Sequence, residues 1–257
     1  MRTTVILNSK GGVGKTVTAA TLARCLARDH GKKVLVIDAD FSGNCSQYFG
    51  VEADDGNSTW ALLTGNGEPY WHHFITPTEE HENLFVVPAD STLANADMPD
   101  RRISVTAIKD LREAIEEDDG LDICLIDCHP YLGRTTQAAL LAADDVIIPI
   151  RLDTFSTSGM KELLQQVENM RRLNSKLRVA GILATQYLGS AVEKDAHNWL
   201  KEESGLPVFR TRVRMSTPVI ESVSKHQSIY KSSPNSGAAI DYRCVALEYL
   251  RGGGEHV

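Results

Sequence analysis

The chain has 257 residues, of which 42% are apolar and 24% charged, a composition that supports a substantial core and excludes wholesale disorder. Lysine and arginine number 27 against 34 aspartates and glutamates, so any contact with nucleic acid must come from a local basic patch. The five scattered cysteines are typical of reduced thiols in a cytosolic protein. No apolar run approaches the roughly 20 residues that are needed to cross a bilayer.

Segments with strand and helix character alternate along the chain. Strands are predicted over residues 3–8, 33–38, 84–88, 122–127, 145–150, 178–185 and 208–211. Apolar spacing predicts helices over residues 16–30, 104–118, 134–143, 156–173, 190–204 and 236–250, with a short amphipathic piece over 59–64. This alternation predicts an α/β fold with a doubly wound, mostly parallel β-sheet flanked by helices. We expect a single domain over residues 1–257 with a frayed tail over residues 252–257.

A glycine-rich sequence, SKGGVGKT, lies over residues 9–16 between the first predicted strand and the first predicted helix. In this context glycines let successive backbone N–H groups surround a phosphate, and the helix N-terminus adds its positive dipole end. Lys15 is placed to reach the β- and γ-phosphates of a nucleotide, and Thr16 to hold Mg²⁺. Ser9 stands where the usual pattern has glycine, and Lys10 adds a cation before the double glycine. The sequence therefore predicts a variant phosphate loop.

Three aspartates lie where two of the predicted strands end. Asp38 and Asp40 follow the second strand, and Asp127 closes the apolar strand DICLID. The carboxyl ends of parallel strands are where α/β folds bind ligands, and an apolar strand that closes on aspartate is typical of a carboxylate near Mg²⁺. These three residues and Thr16 form the predicted metal group.

Five motifs, KGGVGKT, VIDADFSGN, LIDCHPYLG, VIIPI and GILATQY, resemble the ParA/MinD/Soj family of deviant Walker-A ATPases, and the resemblance continues nearly to the C-terminus. It implies a slow, partner-stimulated ATPase that uses ATP and Mg²⁺ and forms a homodimer around two ATP molecules. By this resemblance, Lys10 crosses to the partner's phosphates, and Lys15 is the phosphate-loop lysine. Asp40 positions the attacking water. Asp38 supports the first switch loop, and Asp127 the Mg²⁺ shell in the second.

The resemblance also implies the walls of the nucleotide site. The phosphate loop would contribute Lys10, Gly11, Gly12, Val13, Gly14, Lys15, Thr16 and Val17. The base would contact Gln186 at the end of a late strand, and Val213, Arg214 and Ser216 before the last helices. His129 departs from the family's second switch. It either changes the movement of that switch or has no special task.

The family divides by what its members bind. Membrane-binding members use a C-terminal basic amphipathic helix, and the ending LRGGGEHV lacks both the apolar face and the cations for one, so no membrane partner is expected. The favoured interpretation is a short ParA/Soj-like partition ATPase, cytoplasmic and nucleoid-associated, that segregates plasmid or chromosomal DNA with a ParB-like partner. Two alternatives stay open. One is a relative that positions a cargo such as carboxysomes through an adaptor protein, and the other is a partner-regulating nucleotide switch without DNA binding.

A local excess of positive charge predicts where non-specific DNA could bind. Residues 204–243 hold six basic residues against two acidic ones in a chain of net charge −7. The first choices for phosphate contacts are Arg212, Lys225, Lys231 and Arg243. Two arginines that bind DNA in Soj-like relatives fall on Ser190 and Pro218 here, so those two contacts do not carry over.

Overall fold

The computed structural model describes residues 1–65, 71–118, 120–152 and 157–254. The strands of these residues form one sheet and are β1 (Arg2–Ile6), β2 (Val34–Ala39), β3 (Thr76–Pro77), β4 (Leu84–Val87), β5 (Ile123–Cys128), β6 (Asp145–Ile150) and β7 (Arg178–Ala184). Their order is β3-β4-β2-β5-β1-β6-β7, and every neighbouring pair is parallel except β3 with β4. The predicted doubly wound, mostly parallel sheet is confirmed.

Helices pack on both faces of the sheet. Over the described residues they are α1 (Lys15–His30), α2 (Asn44–Phe49), α3 (Thr59–Thr64), α4 (Ala107–Glu117), α5 (Arg134–Ala142), α6 (Thr157–Arg171), α7 (Ala191–Glu203), α8 (Thr217–Ser224), α9 (Ile229–Ser232) and α10 (Gly237–Leu250), with 3₁₀ turns at Trp71–Phe74 and Ser91–Asp97. One apolar cluster holds residues of α1, α2, α9 and α10, and the other holds residues of α3 to α6. Within the described ranges, no helix combines the length and the apolar character needed to span a membrane.

The central strands are apolar on both faces because each face is covered by helices. In β2, Val34 and Val36 pack in the cluster with α1, whereas Leu35 and Ile37 pack in the opposite one. The order β2-β5-β1 brings the carboxyl ends of these three strands to one edge of the sheet. The loops that carry the phosphate-binding sequence and the aspartates therefore leave the sheet side by side.

The strand predicted over residues 208–211 is wrong. Val208 forms only an isolated bridge with Ile182 of β7. The Phe209 N–H still donates to the Ile182 carbonyl at 3.0 Å, but the N–H groups of Arg210 and Thr211 donate to the Glu248 carboxylate at 2.8 and 3.0 Å. These amides are therefore unavailable to a ladder with β7. The two-residue strand β3 has no counterpart in the predictions.

The frayed tail is also wrong for residues 252–254. The Gly254 N–H donates to the Ala180 carbonyl at 2.7 Å, which ties the segment to β7. Gly253 has φ of +104°, and a Cβ there would lie 2.3 Å from the Ala180 carbonyl oxygen, so this docking requires glycine. Residues 255–257, and residue 156, where the helix that corresponds to α6 is predicted to begin, lie outside the described residues.

Candidate functional site

The phosphate loop over residues 9–14 connects β1 to α1. Gly12 and Gly14 have φ of +71° and +84°, in the left-handed region that glycine adopts without strain. Lys15 opens α1, is only 7% exposed, and donates from Nζ to the Lys10 carbonyl at 3.0 Å. The ammonium is therefore folded back over the loop, where a phosphate would lie.

The loop that follows β7 holds the phosphate loop through two hydrogen bonds. The Thr185 hydroxyl donates to the Val13 carbonyl at 2.8 Å, and the Gln186 side-chain amide donates to the Gly12 carbonyl at 2.6 Å. Gln186 also has a positive φ of 52°. Sequence reasoning proposed Gln186 only for the base and missed Thr185, since their contacts come from sheet order and carry no local signal.

Asp127 at the end of β5 is the unusual group of the site. It is 1% exposed, and neither carboxylate oxygen has a hydrogen bond of normal geometry to any described residue. Burial raises its pKa well above the ordinary range, and the charge of Asp38, its register partner on β2, raises it further. Thr16 and Lys15 oppose this shift. A buried carboxylate without a partner is unfavourable, so the site is suited to a cation.

The pKa of Lys15 is affected by the same buried surroundings. Burial lowers the pKa of its ammonium, and the charges of Asp127 and Asp40 partly restore it. The three groups therefore share one desolvated region, in which an anionic ligand on Lys15 and a cation on Asp127 would each gain from the low dielectric.

Both carboxylate oxygens of Asp38, which the sequence places in the metal group, accept hydrogen bonds. Its Oδ1 accepts the Asp40 N–H at 3.1 Å, and its Oδ2 accepts the N–H and hydroxyl of Ser46 at 2.8 and 2.6 Å. Burial raises the pKa of Asp38 to about 7, against these hydrogen bonds. These hydrogen bonds hold the start of α2 and the turn at Asp40 to the end of β2, so Asp38 has a supporting role whether or not it also binds the metal, which stays a prediction.

The oxygen donors of the site fit Mg²⁺. Thr16, Asp127 and Asp40 offer a hydroxyl and two carboxylates, the hard ligands that this ion prefers. Over the described residues, no three His, Cys, Asp or Glu side chains converge into a metal cage by themselves. Mg²⁺ would therefore be held jointly with phosphate oxygens, which is its usual mode in nucleotide sites.

A cavity of about 470 Å³ opens beside the phosphate loop. The predicted base contacts Gln186, Val213, Arg214 and Ser216 all line it, as do Asp40 and most of the phosphate loop. Lys10 and Val13, although predicted for the nucleotide site, do not line this cavity, and the Val13 side chain is buried. Arg214 is held there by Asp241, which accepts two 2.7 Å hydrogen bonds from its guanidinium.

Apart from Met215, which lies within the range 213–216 predicted for the base, the apolar wall of the cavity was missed by sequence reasoning. Its members are Tyr48, Met215, Val219, Ile220, Val223 and Tyr242. Ile220 and Val223 are exposed on α8, where their spacing reads as an ordinary helix face. An apolar wall opposite a phosphate-binding loop provides the surface that a nucleotide base needs.

Two of the four cations predicted to bind DNA are paired with carboxylates. Lys225 Nζ lies 3.9 Å from Glu221, and Arg243 Nε lies 3.3 Å from Asp29. Both other cations are exposed, namely Arg212 and Lys231. Surface pairs of this kind are weak, so phosphates could compete for all four side chains.

Ser190 and Pro218, which stand where relatives have arginines, serve helix starts. Ser190 caps α7: its hydroxyl accepts the Glu193 N–H at 3.2 Å, and Glu193 in turn accepts the Ser190 N–H at 2.9 Å. Pro218 lies in the first turn of α8, where its missing N–H is harmless.

Comparison with known proteins places the chain in a family. The family model described as an AAA domain matches residues 1–179. Chromosome-partitioning ATPase Soj of Thermus thermophilus is 34% identical over 97% of this chain and 96% of its own. The chain belongs to the ParA/Soj family of P-loop ATPases. The resemblance drawn from its motifs is therefore confirmed.

Two further relatives of this ParA/Soj chain extend the comparison. Sporulation initiation inhibitor protein Soj of Bacillus subtilis is 31% identical over 96% of this chain and 98% of its own. Cobyrinic acid a,c-diamide synthase of Mycobacterium smegmatis, with bound ADP and magnesium, has a TM-score of 0.80 at 28% identity and covers 97% of this chain and 94% of its own.

Replacing Asp127 with asparagine should stabilise the nucleotide-free protein. A carboxyl whose folded-state pKa is raised binds its proton more tightly when folded, so stability falls as the pH rises above about 4. Asp127→Asn removes the contribution of this carboxyl to the pH dependence of stability. It should add about 1–3 kcal/mol to the free energy of unfolding near pH 8. Urea unfolding at low and high pH measures it.

The exposed Asp100 provides the control, because Asp100→Asn changes an equal charge without relieving burial. If Asp127→Asn lost stability at high pH, or if its gain did not shrink at low pH, the unpartnered carboxylate would not be destabilising the fold.

Proposed function

We propose that this ParA/Soj-family chain binds ATP with Mg²⁺, hydrolyses it slowly, and uses the cycle to assemble and disassemble a homodimer. The observation that carries the proposal is the buried, unpartnered Asp127 carboxylate beside the ammonium of Lys15 in the phosphate loop. Support also comes from the M. smegmatis relative, whose structure holds ADP and magnesium.

The chain's own groups divide the work of phosphoryl transfer. The loop N–H groups and Lys15 would hold the phosphates and stabilise charge on the leaving oxygen. Thr16 and Asp127 would hold Mg²⁺, which when bound neutralises phosphate charge. Asp40 lines the cavity and lies next to these groups, so its carboxylate would orient the attacking water. Because positioned charges supply most of the catalysis, the rate of hydrolysis would depend on the alignment of the two switch loops.

The direct test is titration calorimetry with ATP, with Mg²⁺ and with excess EDTA, combined with phosphate release. We expect tight binding and slow turnover with Mg²⁺, and much weaker binding without it. If ATP did not bind in the presence of Mg²⁺, the proposed function would be wrong.

The proposal extends to DNA and to a partner protein. The T. thermophilus relative is a chromosome-partitioning ATPase, and the cations of residues 204–243 give this chain a local positive surface. In the dimer two such surfaces would act together, so non-specific DNA binding would require ATP and fall steeply with salt. A ParB-like protein would stimulate hydrolysis and release the DNA, and the protein would lie in the cytoplasm on the nucleoid.

Charge reversal of the predicted patch should weaken DNA binding at least about tenfold at moderate salt, because each lost phosphate contact removes counterion release. The variant carries glutamate at Arg212, Lys225, Lys231 and Arg243 in an Asp40→Ala background that retains ATP. Band shifts of random-sequence duplex with ATP at two salt concentrations measure it.

The matched control reverses four exposed cations elsewhere, namely Lys33, Arg101, Arg102 and Lys109. Equal losses in both variants would indicate only net charge, and an unchanged affinity would reject this patch. If the parent protein did not bind DNA at low salt, a partner-regulating switch would replace the partition function.

A further inference from the structure

The two switch loops leave the sheet from neighbouring strands and then lose their backbone connection. The β2–β5 ladder ends with the pairs Asp38 with Asp127 and Ala39 with Cys128. Beyond it, the first loop continues with Asp40 and the second with the residue after Cys128. Among the described residues, no backbone hydrogen bond joins the two loops past this point, so the contacts that align them in the nucleotide-free protein involve side chains.

An aromatic contact joins the loops directly above the ladder. The ring centroids of Phe41 and His129 are 4.4 Å apart, with an angle of 31° between the planes. This separation is at the short limit of the range for favourable aromatic pairs, so the two rings are in direct contact. Each ring lies one or two residues past the last ladder pair, so the contact takes over where the backbone hydrogen bonds stop.

The His129 ring and the backbone on either side of Phe41 are each held by a hydrogen bond within their own loop. His129 Nδ1 accepts the Tyr131 N–H at 3.1 Å, which fixes the imidazole over the second switch. On the other side, Asp40 Oδ1 accepts the Ser42 N–H at 2.9 Å, so Phe41 is the middle residue of a turn closed by the Asp40 side chain. The Asp40 carboxylate therefore shapes the turn from which the Phe41 ring projects.

Burial does not explain this contact. Phe41 is 41% exposed and Tyr131 65% exposed, whereas core residues of the adjoining strands are essentially inaccessible. Phe41 belongs to neither apolar cluster. Phe41 therefore gains only part of the free energy of full burial, and its aromatic contact is with His129 of the neighbouring loop.

We propose that His129 is a positioning residue for ATP hydrolysis, and that it acts by stacking on Phe41. The stack holds the first switch loop, with Asp40, in register with the second, with Asp127. The expected effect on hydrolysis rests on the proposed function, in which the Asp40 carboxylate orients the attacking water. The sequence left open whether His129 alters a switch or has no task, and the geometry assigns it this one.

Steady-state kinetics of four variants test the coupling. Phe41→Ala and His129→Ala should each lower kcat by roughly three- to tenfold, the range that one aromatic contact supplies, and leave the Kd for MgATP unchanged. The double variant should lose no more than either single one, because both remove the same contact. His129→Phe, which keeps a ring, should recover most of kcat.

Leu173→Ala is the matched control, because Leu173 is an exposed apolar side chain distant in sequence from both loops, and it should leave kcat unchanged. Multiplicative losses in the double variant would show that the rings act separately and would overturn the proposal. A weaker Kd with unchanged kcat would do the same, because it would mean that the rings contact nucleotide.

Hydrogen exchange of the nucleotide-free protein separates this proposal from the proposed function. Phe41→Ala should accelerate exchange of the Tyr131 amide on the opposite loop several-fold, and leave the Ala61 amide of α3 unchanged. This result is independent of ATP, so failure of ATP binding would reject the ATPase and leave the stack intact. An unchanged Tyr131 amide would show that the rings do not couple the loops.

Discussion

Lys15→Ala should lower the affinity for MgATP by at least about 100-fold, since breaking one partner of a buried charge pair costs about 3–5 kcal/mol. The Lys15 side chain is 7% exposed, and its Nζ already lies against the Lys10 carbonyl at 3.0 Å. A phosphate bound in this loop would be desolvated with it. Without the ammonium, the loop N–H groups and the α1 dipole would face the full charge of the triphosphate.

The loss should be confined to binding and should not come from unfolding. Burial lowers the pKa of Lys15, which means that the folded protein stabilises the charged ammonium less well than water does. Removal of this charge should therefore leave the nucleotide-free protein folded. Lys109→Ala removes an exposed lysine and serves as the control. Calorimetry that found tight MgATP binding by a folded Lys15→Ala protein would contradict the assignment of the phosphate loop.

The sequence could locate the phosphate loop and the aspartates because their signals are local. A glycine pattern between a strand and a helix, and apolar strands that close on aspartate, describe these segments without any distant contact. The parallel sheet then follows from the alternation of elements, and sheet order alone brings Asp38 and Asp127 into register. Local sequence patterns were thus sufficient to identify these residues, although they did not define the contacts that each residue makes.

The two wrong predictions of local structure involve contacts between distant segments. Residues 208–211 have strand composition, but the Glu248 carboxylate on α10 takes two of their amides. The glycines before residue 255 read as a loose end, whereas Gly254 bonds to Ala180 on β7. Such contacts have no signature within a window of neighbouring residues.

Asp40→Ala should abolish hydrolysis and retain ATP binding, and it should therefore accumulate the dimer. Asp40 lines the cavity but is 8% exposed, and its Oδ1 also accepts the Ser42 N–H. Two functions could be lost together in alanine: orientation of water and closure of the turn. Asp40→Asn separates them, because it removes the charge while the amide oxygen can still accept the hydrogen bond from the Ser42 N–H. Both variants should fail to hydrolyse ATP if the carboxylate orients water.

Lys10→Ala should give the opposite assembly state. If Lys10 crosses to the phosphates of the partner, its loss should leave a monomer that binds ATP through Lys15 and hydrolyses it poorly. Sedimentation of wild type, Asp40→Ala and Lys10→Ala with ATP and with ADP should show a transient, a persistent and an absent dimer respectively. A monomeric Asp40→Ala protein with ATP bound, or a wild-type dimer that forms equally well without nucleotide, would rule out assembly around the nucleotide. A Lys10→Ala dimer as stable as that of Asp40→Ala would mean that other groups hold the two copies together.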